Sequence, residues 1–268
     1  MCGVKRVEVQ RDGVVLSCLD GGSGHPVVLL HGLAGSAQEM VPTAESLISG
    51  GYRVIAVDQR GHGCSTRRPL DLSRQAYVRD VVAVVEQLAG GGPVSLVGQS
   101  MGGHTAMLVA SWHPTLVRRL VLLEAGVGGD SGEDYPAQLG AWFASWPVPF
   151  HDEAAAAEFL GSTPIARSWV RDLQERPDGL WPRFDPDVMQ AAIAAVAERA
   201  RWEEWQRITA PTLLVRGQNG TVAAAEVEQM VALRPGVQHL VISDAGHDVH
   251  LEQPAAWVHA LTALLPTP

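Results

Sequence analysis

Residues 94–103 read Val-Ser-Leu-Val-Gly-Gln-Ser-Met-Gly-Gly, an apolar run that enters a Gly-x-Ser-x-Gly pattern and leaves it as a small-residue helix over 101–113. A serine at the apex of a sharp strand-to-helix turn presents its hydroxyl oxygen, and the flanking Gly98 and Gly102 allow the strained backbone and close helix–strand packing that such a turn needs. Ser100 is therefore placed to attack a carbonyl carbon. It needs a base to take its proton and amides to receive the charge that develops on the carbonyl oxygen.

The base candidate is His247 in Asp244-Ala245-Gly246-His247, just after the last strand-like run, where a loop can reach the serine. His250, three residues on, is its competitor; His25, His31, His62, His104, His113, His151, His239 and His259 fit turns, helix faces or solvated positions. The oxyanion candidates come from His31-Gly32-Leu33-Ala34-Gly35, whose glycines let backbone amides turn toward Ser100. The expected donors are the amides of Leu33 and Met101, with His31 fixing the loop.

These groups need a scaffold, and the chain supplies one by alternation. Eight strand-like runs occur at 4–10, 14–19, 27–30, 54–57, 94–97, 120–123, 212–215 and 239–242. The first two are joined by Arg11-Asp12-Gly13, a hairpin signal, and the later ones are separated by helices, which calls for parallel strands and crossovers. Between 123 and 212 the alternation stops. That stretch is rich in Ala, Pro and Trp, has helix-like segments and no clear strand, and holds six of the eight tryptophans, which either pack the insertion or line a pocket for a bulky apolar ligand.

With 268 residues, 46% of them hydrophobic and 18% charged, the chain can bury a full core. Its formal charge of -9 argues against binding nucleic acid or an anionic membrane surface. The first residues lack the apolar stretch of a signal peptide and no run is long enough to span a bilayer, so a cytoplasmic location is expected. Cys2, Cys18 and Cys64 have no metal-like spacing and fit reduced thiols without a catalytic role. Gly90-Gly91-Gly92 precedes a strand and opens no helix, so no dinucleotide site, metal or other cofactor is expected.

Four segments in this order, His31-Gly32-x-x-Gly35, Asp58-Gln59-Arg60-Gly61-His62-Gly63-x-Ser65, Gly98-x-Ser100-x-Gly102 and Gly246-His247, resemble the α/β-hydrolase fold family across nearly the whole chain. The resemblance implies an α/β fold with an eight-stranded, mostly parallel sheet flanked by helices, residues 1–126 and 206–268 forming the core and 127–205 an inserted helical cap. It also implies that Asp58, Arg60 and His62 form a structural turn that orders the oxyanion loop. The chain departs from the family where most members carry the acid that orients the histidine: residues 215–222 read Val-Arg-Gly-Gln-Asn-Gly-Thr-Val, without a carboxylate before Glu226. Glu124 ends the strand after the nucleophile helix, the position from which haloalkane dehalogenases and zearalenone-type lactonases draw their acid, so the resemblance implies a Ser100, His247, Glu124 triad. Asn219, Glu226 or a serine–histidine dyad are the alternatives.

A serine at the elbow favours acyl transfer, so the expected reaction is hydrolysis of a carboxylic ester or lactone of a bulky apolar small molecule through an acyl-enzyme on Ser100. Carbon–carbon bond hydrolysis, with Arg167 and Arg171 holding a substrate carboxylate, is one alternative. Lyase, cyclase or peroxidase chemistry on the same triad and non-catalytic small-molecule binding are others. The protein is expected to be a monomer or a homodimer.

Overall fold

Runs of consecutive apolar residues in the middle strands fit a sheet covered on both faces. The computed structural model describes residues 3–129, 132 and 134–265. Eight strands, β1 (Lys5–Arg11), β2 (Val14–Gly22), β3 (Pro26–Leu30), β4 (Arg53–Val57), β5 (Val94–Gln99), β6 (Val117–Leu123), β9 (Thr212–Gly217) and β10 (Gln238–Ile242), form one sheet in the order β1-β2-β4-β3-β5-β6-β9-β10. β1 pairs antiparallel with β2 and β2 antiparallel with β4, and every later pairing is parallel.

Alternate residues feed two cores. Val28, Leu30, Leu96, Leu120 and Leu122 join the larger one, with α2 (Arg74–Leu88), α3 (Met101–Trp112), α8 (Trp202–Arg207) and α9 (Ala224–Leu233) packed against them. Val27, Leu29, Val97, Val121 and Leu123 face the other, under α1 (Val41–Ser49) and α11 (Pro254–Leu264). The period of two thus serves both faces of one sheet and leaves the C-terminal strand ends as the open edge where loops meet.

Between β6 and β9 the chain forms α4 (Tyr135–Ala144), α5 (Glu153–Leu160), α6 (Pro164–Arg171) and α7 (Pro186–Ala197) before α8. It also contains a small hairpin, β7 (Gln174–Arg176) with β8 (Gly179–Trp181), where the sequence reading expects no clear strand. Three-residue strands are too short to show a period of two; the Pro177-Asp178 turn, followed by Gly179 at φ 135°, is the only local signal. Cys18 is buried and Cys64 exposed, both free, while Cys2 lies outside the described residues. No described helix is long and apolar enough to cross a membrane.

One buried ion pair pins the turn after β4 to α2. Arg60 reaches Asp80 through Nε and Nη2, both at 2.6 Å, with the two side chains 3% and 5% exposed. Removing one partner leaves an uncompensated buried charge. Asp80→Asn should therefore lower unfolding free energy by about 3–5 kcal/mol in urea denaturation. The Arg60→Met/Asp80→Leu double variant should recover part of that loss, because Arg60 is no longer left as a buried orphan and Arg11, which also reaches Asp80 at 3.1 Å, keeps Asp12 as a partner.

Candidate active site

Ser100 lies between β5 and α3 at φ 50°, ψ −119°, a left-handed backbone that non-glycine residues adopt only when their surroundings enforce it. Close approach explains the glycines. A methyl group at Gly98 would fall on the carbonyl oxygen of Gly102, and one at Gly102 on that of His31. The Ser100 amide donates to the Leu123 carbonyl at 2.9 Å, which ties the elbow to the end of the neighbouring strand.

Glu124 begins where that strand ends, at φ 47°, and its side chain has no exposed surface. Its Oε1 accepts from the Gly217 amide at 2.8 Å, and its Oε2 from the amides of Thr221 at 2.8 Å and Val222 at 3.3 Å. His247 Nδ1 is 3.3 Å from the same Oε2. Burial disfavours the carboxylate, but the hydrogen bonds from His247, Gly217 and Thr221 outweigh it and hold Glu124 below the ordinary range. Burial also disfavours the imidazolium, yet the Glu124 hydrogen bond and the charges of Asp248, Glu124 and Glu39 raise His247 above its ordinary value. With Nδ1 facing the carboxylate, Nε2 is left as the bare acceptor. Gln99, next to Ser100, donates from Nε2 to the His247 carbonyl at 3.3 Å and so ties the two loops together.

The oxyanion candidates also meet here. A side chain at Gly32 would begin 3.3 Å from Ser100 Cβ, so the Gly32-Leu33 backbone lies against the serine. Neither the Leu33 nor the Met101 amide has an acceptor among the described residues. His31 accepts from the Gln59 amide at Nε2 (3.0 Å), which leaves the ring proton on Nδ1 to be donated to the Gly32 carbonyl at 2.7 Å. Asp58 Oδ1 accepts from the Ala37 amide at 2.7 Å, and Gln59 Nε2 donates to the His31 carbonyl at 2.7 Å. The 58–65 turn thus buttresses the loop through these bonds.

The alternatives lie elsewhere. Asn219 is exposed and spends its amide on the Ala245 carbonyl, and Glu226 Oε1 accepts from the Val127 amide at 2.8 Å. His250 is buried with Nε2 3.0 Å from Glu39 Oε1. Arg167 and Arg171 are exposed. Trp142, Trp146 and Trp169 pack mainly on one another and on Phe143 and Phe184, and Trp205 belongs to the main core, so packing accounts for most of the tryptophan enrichment.

Two side chains went unforeseen in the sequence. Thr221 Oγ1 is 2.8 Å from His247 Nδ1 and 3.4 Å from Glu124 Oε2, so its hydroxyl bridges base and acid. Trp169 Nε1 donates to the carbonyl of Ala34 at 3.0 Å, and Ala34 is itself at φ 58° beside Leu33. No pattern marks either residue, since both are positioned by segments remote in sequence.

In an NMR titration of the imidazole, His247 should titrate above the usual histidine value of about 6.5. Glu124→Gln removes a hydrogen bond and a charge that favour the imidazolium, so the midpoint should move to lower pH, and Thr221→Val should shift it less.

Residues 27–261 match the alpha/beta hydrolase family. The chain is 32% identical over 261 residues to sn-1-specific diacylglycerol lipase ABHD11 of Mus musculus, covering 92% of this chain and 83% of that protein. The solved structure of E-2-(acetamidomethylene)succinate hydrolase superposes with a TM-score of 0.87 at 24% identity, covering 97% of this chain and 98% of that one. Est816, described as an N-acyl homoserine lactone degrading enzyme, superposes at 0.78 with 25% identity, covering 97% and 100%. Matched over most of its length, in sequence and in strand order, this chain belongs to the α/β-hydrolase family and is an enzyme of that fold.

Proposed function

We propose that the protein hydrolyses a carboxylic ester or lactone of a small molecule through an acyl-enzyme on Ser100. His247 Nε2 takes the hydroxyl proton as Ser100 Oγ attacks the carbonyl carbon, and the amides of Leu33 and Met101 receive the oxyanion. The imidazolium gives its proton to the leaving oxygen. Water, activated by His247 in turn, then attacks the acyl-enzyme and releases the acid. Glu124 and Thr221 hold the ring so that Nε2 faces the serine, and the carboxylate stabilises the imidazolium. Residues 127–205 act as a cap over the site, with Trp169 steadying the oxyanion loop from the cap side.

The observation that carries this reading is the strained Ser100 elbow, whose neighbour Gln99 is bonded to the carbonyl of a histidine that turns Nδ1 to a fully buried carboxylate. The lipase and lactone-degrading relatives support the ester and lactone classes.

Intact mass after treatment with a small fluorophosphonate tests it. The native protein should gain one adduct, Ser100→Ala none, and Glu124→Gln should label much more slowly; an unlabelled native protein would sink the acyl-enzyme. On an activated ester, kcat/KM should rise with pH through an inflection above about 6.5, since the base works only when neutral and its partners raise its pKa. Trp169→Phe keeps the ring and removes the hydrogen bond to Ala34, and should lower kcat by about tenfold, the loss of roughly one hydrogen bond, with KM little changed.

A further inference from the structure

Among the described residues, ten buried side-chain nitrogen and oxygen atoms have no hydrogen-bond partner, and three of them belong to two neighbouring arginines, Arg74 (Nε, Nη1) and Arg201 (Nε). Arg74 opens α2 and is 1% exposed. Its Nη2 donates to the Thr105 hydroxyl and lies 3.4 Å from the Met101 carbonyl, and its guanidinium sits 4.5 Å from the centre of the Tyr77 ring. No carboxylate among the described residues pairs with it; besides burial, Tyr77 and then a second cation, Arg201, act on it from nearby. Arg201 has Glu204 Oε1 at 3.2 Å. His104 is held neutral by burial and by the charges of both arginines.

The same chain shows what a structural buried arginine looks like, in Arg60 with both oxygens of Asp80 on its guanidinium. An ion taken out of water without such a partner carries a penalty of several kcal/mol. Arg74 carries it next to the candidate chemistry: its neighbour Met101 follows Ser100 and offers an oxyanion amide. Leu33, Met101 and Tyr77 pack with Ala192 and Val196 of α7, roofing this corner of the site. Both connections of the 127–205 segment pass here, cross-linked by Gly129 N–H to the Val196 carbonyl (3.1 Å) and Arg201 N–H to the Val127 carbonyl (2.9 Å).

We infer that Arg74, backed by Arg201, anchors a carboxylate of the substrate, so that the enzyme acts on acidic small molecules that carry a free carboxylate a few bonds from the scissile carbonyl. The inference rests on the serine-hydrolase reading for the reaction and adds its substrate class. The carboxylate supplies the acceptors that Nε and Nη1 lack and the charge that Arg74 lacks, a charge-assisted contact strengthened by the dry surroundings. Since both nitrogens are closed off from solvent, binding shifts α7 away from Met101 and Tyr77.

Monoethyl fumarate and diethyl fumarate, of similar shape and different charge, test this. The half-ester should raise the Tm of the Ser100→Ala protein more than the diester does. For the native enzyme, followed by proton release, kcat/KM should favour the half-ester by about tenfold or more, the worth of one hydrogen-bonded charge. Arg74→Met should bring that ratio toward one, and Arg74→Lys, which keeps the charge if the methionine variant fails to fold, should give an intermediate ratio. Equal binding and cleavage of both esters, no binding of the half-ester, or a preference unchanged in the Arg74 variants would overturn the inference. Fluorophosphonate labelling without any charge preference would leave the serine reading standing and remove this one. Arg74-dependent binding of the half-ester to an enzyme that never labels would do the reverse.

Discussion

The fully buried carboxylate of Glu124 is the constraint around which the rest of the site is arranged. A charge with no exposed surface must be hydrogen-bonded on every side that faces protein, and here three backbone amides from the β9–α9 loop and one imidazole supply those bonds. The loop can supply its amides only by closing tightly over the side chain: a methyl at Gly220 would fall on Oε1.

Strain gathers where these loops leave the sheet. Of the five non-glycine residues in the left-handed region among the described residues, Asp12 belongs to the first hairpin, whereas Ala34, Ser100, Glu124 and Asp244 all lie beyond the C-terminal ends of parallel strands. Such conformations cost about 1–3 kcal/mol each and persist only when the surroundings over-determine them. Two packed faces of one sheet provide that, because the strands cannot shift without disturbing both cores. The outcome is a serine, a carboxylate and a Gly32–Leu33 loop held in place by a scaffold of packed strands and helices.

The inserted segment contributes to the site from above. Its aromatic cluster of Trp142, Trp146, Trp169, Phe143 and Phe184 packs on itself, and one member reaches down to the oxyanion loop through the Trp169–Ala34 hydrogen bond. At its two connections to the sheet lies Arg74, which no carboxylate among the described residues pairs with. One segment therefore bonds to the loop at Ala34 on one side and packs over Met101 and Tyr77, next to Arg74, on the other.

Much of this was readable in the chain. The strand-like runs matched the eight strands of the main sheet to within three residues at each end, because a sheet packed on both faces demands consecutive apolar residues and the separating helices demand parallel crossovers. The Gly-x-Ser-x-Gly turn was legible for a steric reason that is local, since only glycine fits where Gly98 and Gly102 touch neighbouring carbonyls. The hairpin of β7 and β8 was not, being too short for periodicity to show. What only the tertiary structure decided was everything that depends on distant segments meeting: that Glu124 and not Asn219 faces His247, that the hydroxyl of Thr221 lies between them, that Trp169 holds Ala34, and that Arg74 is buried with no carboxylate against it among the described residues. A residue's type and neighbours in sequence set its chemistry, but hydrogen bonds and charge pairing fall off within a few ångströms, so the partners are set by which strand ends the sheet places side by side.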